Sequence, residues 1–118
     1  MSVWTELEIE RVEPARADAI IFRLSGALSD SKHSYLFLEK VKKEVENGRR
    51  YLVINFKEVT RMTSSGIGIL CACYTTILGV KGSMSVVGVT ERNRALLNAV
   101  GLWDRLDAHD SEDDLDLG

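Results

Sequence analysis

The 118-residue sequence holds one proline, two cysteines and two histidines, and each scarcity removes a class of protein. So few cysteines exclude a disulfide framework. They are Cys71 and Cys73, and a spacing of two within a helix points the side chains about 200° apart. That geometry opposes a disulfide or a shared metal and leaves two small core-lining residues in a reducing compartment. His33 and His109 are too few and too far apart in sequence for a metal site, so solvated histidines are expected. No apolar run reaches the roughly 18 residues of a membrane span. The opening "MSVWTELEIE" lacks both the basic start and the apolar run of a signal peptide, so a cytoplasmic protein with no membrane association is expected. A formal net charge of −3 gives no general attraction to phosphate backbones, and direct nucleic-acid binding is not expected. The GxxxxGK[ST] and GxSxG patterns are absent, and "GIG" is too short for a dinucleotide fingerprint. With no constellation of base, acid and metal, neither an enzyme nor a cofactor is expected.

What is present is ordinary in bulk and informative in order. An apolar fraction of 45% and a charged fraction of 28% suit one soluble domain over residues 1–118. In "TELEIERVE", Leu7 and Ile9 alternate with glutamates, as in a strand with one wet face. "EPARAD" holds the lone Pro14 and reads as a turn, after which "AIIFRLSG" resumes the alternation until Gly26, completing an antiparallel hairpin. Ser29, Asp30 and Ser31 offer cap oxygens for a helix striped by Leu38, Val41 and Val45 and stopped at Gly48. Tyr51–Phe56 is a short apolar run suited to a central strand covered on both faces, and a loop follows it. Ile67, Leu70, Cys71, Tyr74, Ile77 and Leu78 mark a second helix. "SMSVVGV" is another strand, "TERNRALLNAVG" a third helix capped by Thr90, and "RLDAH" a last edge strand. Strands alternating with helices predict an α/β fold with a mixed, largely parallel sheet. Trp4 and Trp103 are expected to cover core edges. Asp104, Asp107, Asp110, Glu112, Asp113, Asp114 and Asp116 face only Arg105, and this acidic tail (about 110–118) is expected to be solvated and partly frayed.

The stretch "VTRMTSSGIGIL" (59–70) calls for more than turn chemistry. It lies beyond the carboxyl end of the most apolar strand, where α/β folds usually place their sites. A helix mouth presents free backbone N–H groups and about half a positive charge, which favours an anion by typically ~0.3–1 kcal/mol. Thr63, Ser64 and Ser65 would each cap a helix, yet only one hydroxyl is needed. Gly66 and Gly68 cost about 0.5–1 kcal/mol each relative to alanine within a helix, so either the sheet beneath or a partner above comes close.

Those residues resemble a known family. "LVINFKEVTRMTSSGIGIL", with "IIFRLSGALSDSKHSYLFLEKV" before it and "MSVVGVTERNRALLNAVGLWDRLDAHDSEDDL" after it, is similar to a STAS domain of the bacterial anti-sigma factor antagonist (anti-anti-sigma factor) type. The likeness runs from about Thr5 to the acidic tail. The family's Asp-Ser-Ser-Gly-Leu-Gly motif stands here as Thr63 to Gly68, and its glycine-leucine-aromatic stretch as Gly101-Leu102-Trp103. The resemblance implies a single STAS domain, its sheet opened by a hairpin and packed with helices. It also implies a switch: an anti-sigma factor with serine kinase activity phosphorylates the first serine, Ser64, and releases the domain, and a cognate serine phosphatase resets it. Ser29, Asp30, Ser31, Thr63, Ser65, Gly66 and Ile67 are then the expected contact rim. A phosphate adds about −1.5 to −2 charge, which a helix mouth tolerates while a protein docked there does not. Thr63, Asn55 and Ser29 stand where the family usually has Asp, leaving three positions around the site neutral. Two other readings follow: a non-phosphorylated scaffold subunit of a stressosome-like assembly, and an anion- or nucleotide-binding STAS module.

Overall fold

The computed structural model describes residues 6–118, so Trp4 lies outside the described residues. Strands β1 (Glu8–Val12) and β2 (Ala19–Leu28) flank the turn at Pro14 and pair antiparallel, with Ile9 opposite Leu24 and Val12 opposite Ile21. Leu7 and Ile9 face the core while Glu8 and Glu10 stay exposed, as the alternation requires. Strand β3 (Tyr51–Met62) pairs parallel with β2 and with β4 (Ser83–Val87), and β5 (Asp107–His109) pairs parallel with β4. The order is β1-β2-β3-β4-β5, so the hairpin forms one edge and the short β5 the other. The architecture is the α/β, mixed and largely parallel sheet expected from the pattern.

Two strands outrun their sequence signals. Strand β2 continues past Gly26, and β3 continues past Phe56 through the stretch read as a loop. Lys57, Glu58, Thr60 and Arg61 are exposed, which gives that stretch its loop-like polarity. Val59 and Met62 are nonetheless buried, and the backbone pairs with Ser25–Leu28. Register shifts on either side of Ser25 and Gly26 accommodate the extension, and Gly26 takes φ +92° there, a bulge conformation open to glycine. Pairing with a neighbour overrides composition, as it commonly does in sheets.

The main core lies between one sheet face and helices α1 (Lys32–Glu46), α2 (Ser64–Leu78) and α3 (Glu91–Ala99). Helix α1 seats Phe37 and Val41, with Leu38 and Val45 at the margin; Phe37 meets Phe22 of β2 edge-on at 5.5 Å. Helix α2 buries Ile69, Leu70, Cys73 and Ile77, whereas Ile67, Cys71 and Tyr74 are half-buried and Leu78 is exposed. Its buried stripe is rotated from the expected one, with Gly66 facing the Leu28 carbonyl. Burial pushes the Cys73 thiol up to about 12, which leaves it a small apolar residue with little thiolate. Trp103 is half-buried against the core edge beneath the Arg94 guanidinium, as expected for a covering residue.

The opposite face carries a smaller cluster of Ala19, Ile21, Tyr51, Val53 and Val87, covered by Val12, Leu115 and Leu117. This corrects the expectation of a frayed acidic tail. Leu115 and Leu117 bring the tail down onto apolar sheet, the Arg16 N–H donates to the Leu117 carbonyl at 2.8 Å, and Arg23 and Asn55 both donate to the Glu112 carboxylate. A count of charges along the sequence misses these two leucines' reach. At the amino ends of the strands Glu44 and Glu13 each accept hydrogen bonds from both Arg11 and Arg49, and Arg49 also donates to the carbonyls of Ala17 and Ala19.

Candidate functional site

The carboxyl ends of β2 and β3 bring the two hydroxyl-rich loops together. Leu28 pairs with Met62, and the Thr63 N–H donates to the Leu28 carbonyl at 3.0 Å. Thr63 then takes extended geometry and becomes the α2 N-cap, its hydroxyl oxygen accepting from the Gly66 N–H at 3.2 Å. Of the three candidate caps, Thr63 is the one employed. Ser64 and Ser65 follow as the first residues of the helix, both exposed, and neither side chain makes a hydrogen bond among the described residues. No acidic residue lies in this first turn, so the positive end of the helix is uncompensated from within its own helix.

The glycines divide the two explanations between them. A Cβ on Gly66 would overlap the backbone carbonyl of Leu28, so this residue is glycine because the sheet lies directly beneath it. Gly66 is itself buried, whereas Ser29, Asp30, Ser31, Thr63, Ser65 and Ile67 each keep at least part of their surface. A Cβ on Gly68 would meet nothing within 4 Å, and the residue is exposed. The fold supplies no reason for glycine there. In the sequence Gly68 is marked only by its helix-propensity penalty, which does not say which side is crowded. Ile67 is half-buried against the main core.

The neighbouring loop is ordered by serines. Ser31 caps α1 by accepting from the Ser34 N–H at 3.3 Å, and its hydroxyl meets the Ser34 hydroxyl at 3.2 Å. The Ser29 N–H donates to the Ser34 hydroxyl at 3.0 Å, and the Ser31 N–H donates to that of Ser29. Ser34 is fully buried, and sequence reasoning missed it; the signal was a second hydroxyl three residues beyond a cap. Asp30 remains exposed, and Ser29, Ser31 and Thr63 are half-buried.

Asn55 does not belong to this site. It lies seven residues before the end of β3, which at strand rise is roughly 20 Å away. Its side-chain amide donates to Glu112 at 2.7 Å and its oxygen accepts from the Lys57 N–H, so it anchors the tail on the other face. The expectation of three neutral positions around one site reduces to Thr63 and Ser29. It placed the strand's end at Phe56, and the longer β3 moves the helix mouth away. His33 is partly exposed beside Glu6, and His109 beside Asp107.

This arrangement suits recognition at a surface. A capped helix mouth presents two hydroxyls, unbonded among the described residues, beside a loop held by serine hydrogen bonds. The solved structures that the chain resembles share the frame. An anti-sigma factor antagonist from Mycobacterium paratuberculosis superposes with a TM-score of 0.76 at 19% identity, over 92% of this chain and 90% of that one. The anti-sigma factor antagonist SpoIIAA in its unphosphorylated form gives 0.74 at 19%, over 92% and 91%. A sulfate transporter family protein from Wolinella succinogenes gives 0.69 at 16%, over 86% and 83%. The STAS domain model matches residues 8–115, nearly the whole described chain from the opening hairpin to Leu115 in the tail, and the chain belongs to the STAS domain family.

Proposed function

We propose that this STAS domain is a cytoplasmic anti-sigma factor antagonist, a non-enzymatic regulator whose partner is an anti-sigma factor with serine kinase activity and whose switch is phosphorylation of Ser64. The observation that carries the reading is the placement of Ser64: exposed, unbonded among the described residues, and first in a helix whose cap is already supplied by Thr63. A kinase can reach that hydroxyl without opening the fold. The phosphate would sit at the positive end of α2, where the dipole favours it, so the modification is tolerated by the domain. A protein docked over the same turn meets about two negative charges and a lost contact surface, which is how a small group releases a large partner. Ser29, Asp30, Ser31, Thr63, Ser65 and Ile67 form the contact rim in this reading, joined by exposed Gly68.

Incubation with ATP and the cognate anti-sigma kinase, followed by mass spectrometry of the peptide holding Ser64, tests the switch. One phosphate on Ser64, absent from Ser64→Ala, and loss of binding after modification are the expected results. An unmodified Ser64, or binding indifferent to its phosphate, overturns the reading. Neutral Thr63 and Ser29, where the resemblance leads one to expect carboxylates, favour a second reading as a non-phosphorylated scaffold subunit. Sedimentation separates the two, since a stable multimer that takes up no phosphate supports the scaffold.

A further inference from the structure

We infer that the partner's footprint extends from the α2 mouth into a groove between the end of β3 and α3, and that the occupant there is an acidic protein segment with an apolar face. The inference rests on the functional reading above. Strand β4 stops pairing at Val87, opposite Asn55, while β3 runs on for seven residues. Along that stretch α3 lies where a neighbouring strand would have been: Asn93, almost fully buried, donates from its side-chain amide to the Val59 carbonyl at 3.1 Å. Leu97 anchors the same helix in the main core. The groove left between them is lined by Arg61, Met62, Arg92, Ala95 and Leu96.

Three properties select the occupant. Arg92, Leu96 and Val100 stand at spacings of four along α3, with Leu96 38% and Val100 58% exposed, so the outer ridge is a cation followed by an apolar row. Both charged side chains lining the groove are arginines in a chain of net charge −3. Nearby Glu91 sits 4.0 Å from Arg94, which covers Trp103, so that carboxylate is directed to another cation. Carboxylates on the incoming segment would complement exposed Arg92, and apolar side chains would cover Leu96 and Val100. The groove also ends at Met62, two residues before Ser64, so a protein seated over the serine is already beside it. The chain's own acidic tail does not supply the occupant, because Glu112, Leu115 and Leu117 hold it on the opposite sheet face.

The test measures affinity of the full chain for the anti-sigma kinase that phosphorylates it, at several salt concentrations. Arg92→Glu and Leu96→Ser are each expected to weaken binding by about 10-fold, and Arg92→Lys by no more than about 3-fold. Arg92→Glu should also flatten the salt dependence, which a purely structural role would not do. Melting temperatures close to that of the parent chain show that the variants fold. Variants that bind like the parent chain, with Ser64 still phosphorylated, overturn the groove and leave the switch standing. Self-association abolished by Leu96→Ser would reassign the groove to a second copy and likewise overturn it. A parent chain that binds no serine-kinase anti-sigma factor overturns the functional reading, and this inference with it.

Discussion

The two ends of the parallel strands are built from different chemistry. At the amino ends, Arg11 and Arg49 share Glu44 and Glu13, Arg16 pairs with Asp18, and Arg49 reaches two backbone carbonyls. At the carboxyl ends of β2 and β3, hydroxyls and backbone amides do the ordering, and Asp30, Ser64 and Ser65 face solvent. Charge joins β1, α1 and the start of β3 at one end. At the other, uncharged Ser31 and Thr63 cap the helices and fix the backbone, while charged Asp30 and Arg61 lie outside the capping bonds and the neutrality is that of the caps alone. A phosphate arriving on Ser64 therefore enters a helix turn with no acidic side chain and displaces no hydrogen bond of the Ser64 side chain among the described residues. The same group at the charged end would compete with a network that ties three elements together.

The largest expected effect lies beneath the open end. Gly66→Ala drives a methyl into the Leu28 carbonyl, and neither β2 nor the first turn of α2 can retreat without losing the Thr63 bond to that same oxygen. A loss of about 3 kcal/mol or more is expected in chemical denaturation, in line with overpacking against backbone. Gly68→Ala, with open space around it, should instead raise stability by about 0.5–1 kcal/mol through helix propensity. If that variant also binds the partner poorly, the second glycine is there for the partner's approach.

Next in size is the charged end. Glu44 is the carboxylate most withdrawn from water in the network, its side chain 10% exposed, and hydrogen bonds from Arg11 hold its carboxyl below the ordinary value of 4.5. Glu44→Gln should destabilise by about 2 kcal/mol near neutral pH, between the values for exposed and buried pairs. The folded form holds its proton less tightly than the unfolded chain. The stabilisation is therefore complete well above pH 4.5 and is lost as pH falls through the lower folded value. Glu112, depressed mainly by its hydrogen bonds from Arg23, acts in the same direction. Acid titration of stability should show a shallower limb in Glu44→Gln than in the parent chain. An unchanged limb would show that the ion network does little at this end.

How much of this was legible in the sequence follows from which interactions are local. Alternation at Leu7 and Ile9, the caps at Ser31 and Thr90 and the stops at Gly48 and Gly101 depend on near neighbours, and the element order read from them matches the structure. The extension of β3 did not show, because Lys57, Glu58 and Arg61 disguise a strand whose justification is β2, some thirty residues earlier. The docking of the tail is hidden for the same reason: Leu115 and Leu117 acquire meaning only against Ala19, Ile21 and Tyr51. At the site, the hydroxyls and glycines were visible as a group. Their division into one cap, two exposed serines, one glycine facing the sheet and one facing solvent required the position of the Leu28 carbonyl.

Smaller effects separate capping from signalling at the neutral end. Thr63→Ala removes the acceptor for the Gly66 N–H and should reduce stability by about 1 kcal/mol, measured by denaturation. Smallest of all is the expected effect of charge at the neighbouring residue. Ser64→Asp, or phosphate on Ser64 itself, places negative charge at the first position of α2, where no acidic side chain stands already. The helix dipole should stabilise it by about 0.3–1 kcal/mol, and added salt should reduce that gain. A melting curve that barely moves, together with partner binding that disappears, would locate the switch in the interface. A curve that falls steeply on phosphorylation would mean instead that the modification releases the partner by loosening α2, and the neutral end would then be as much a part of the fold's support as the charged one.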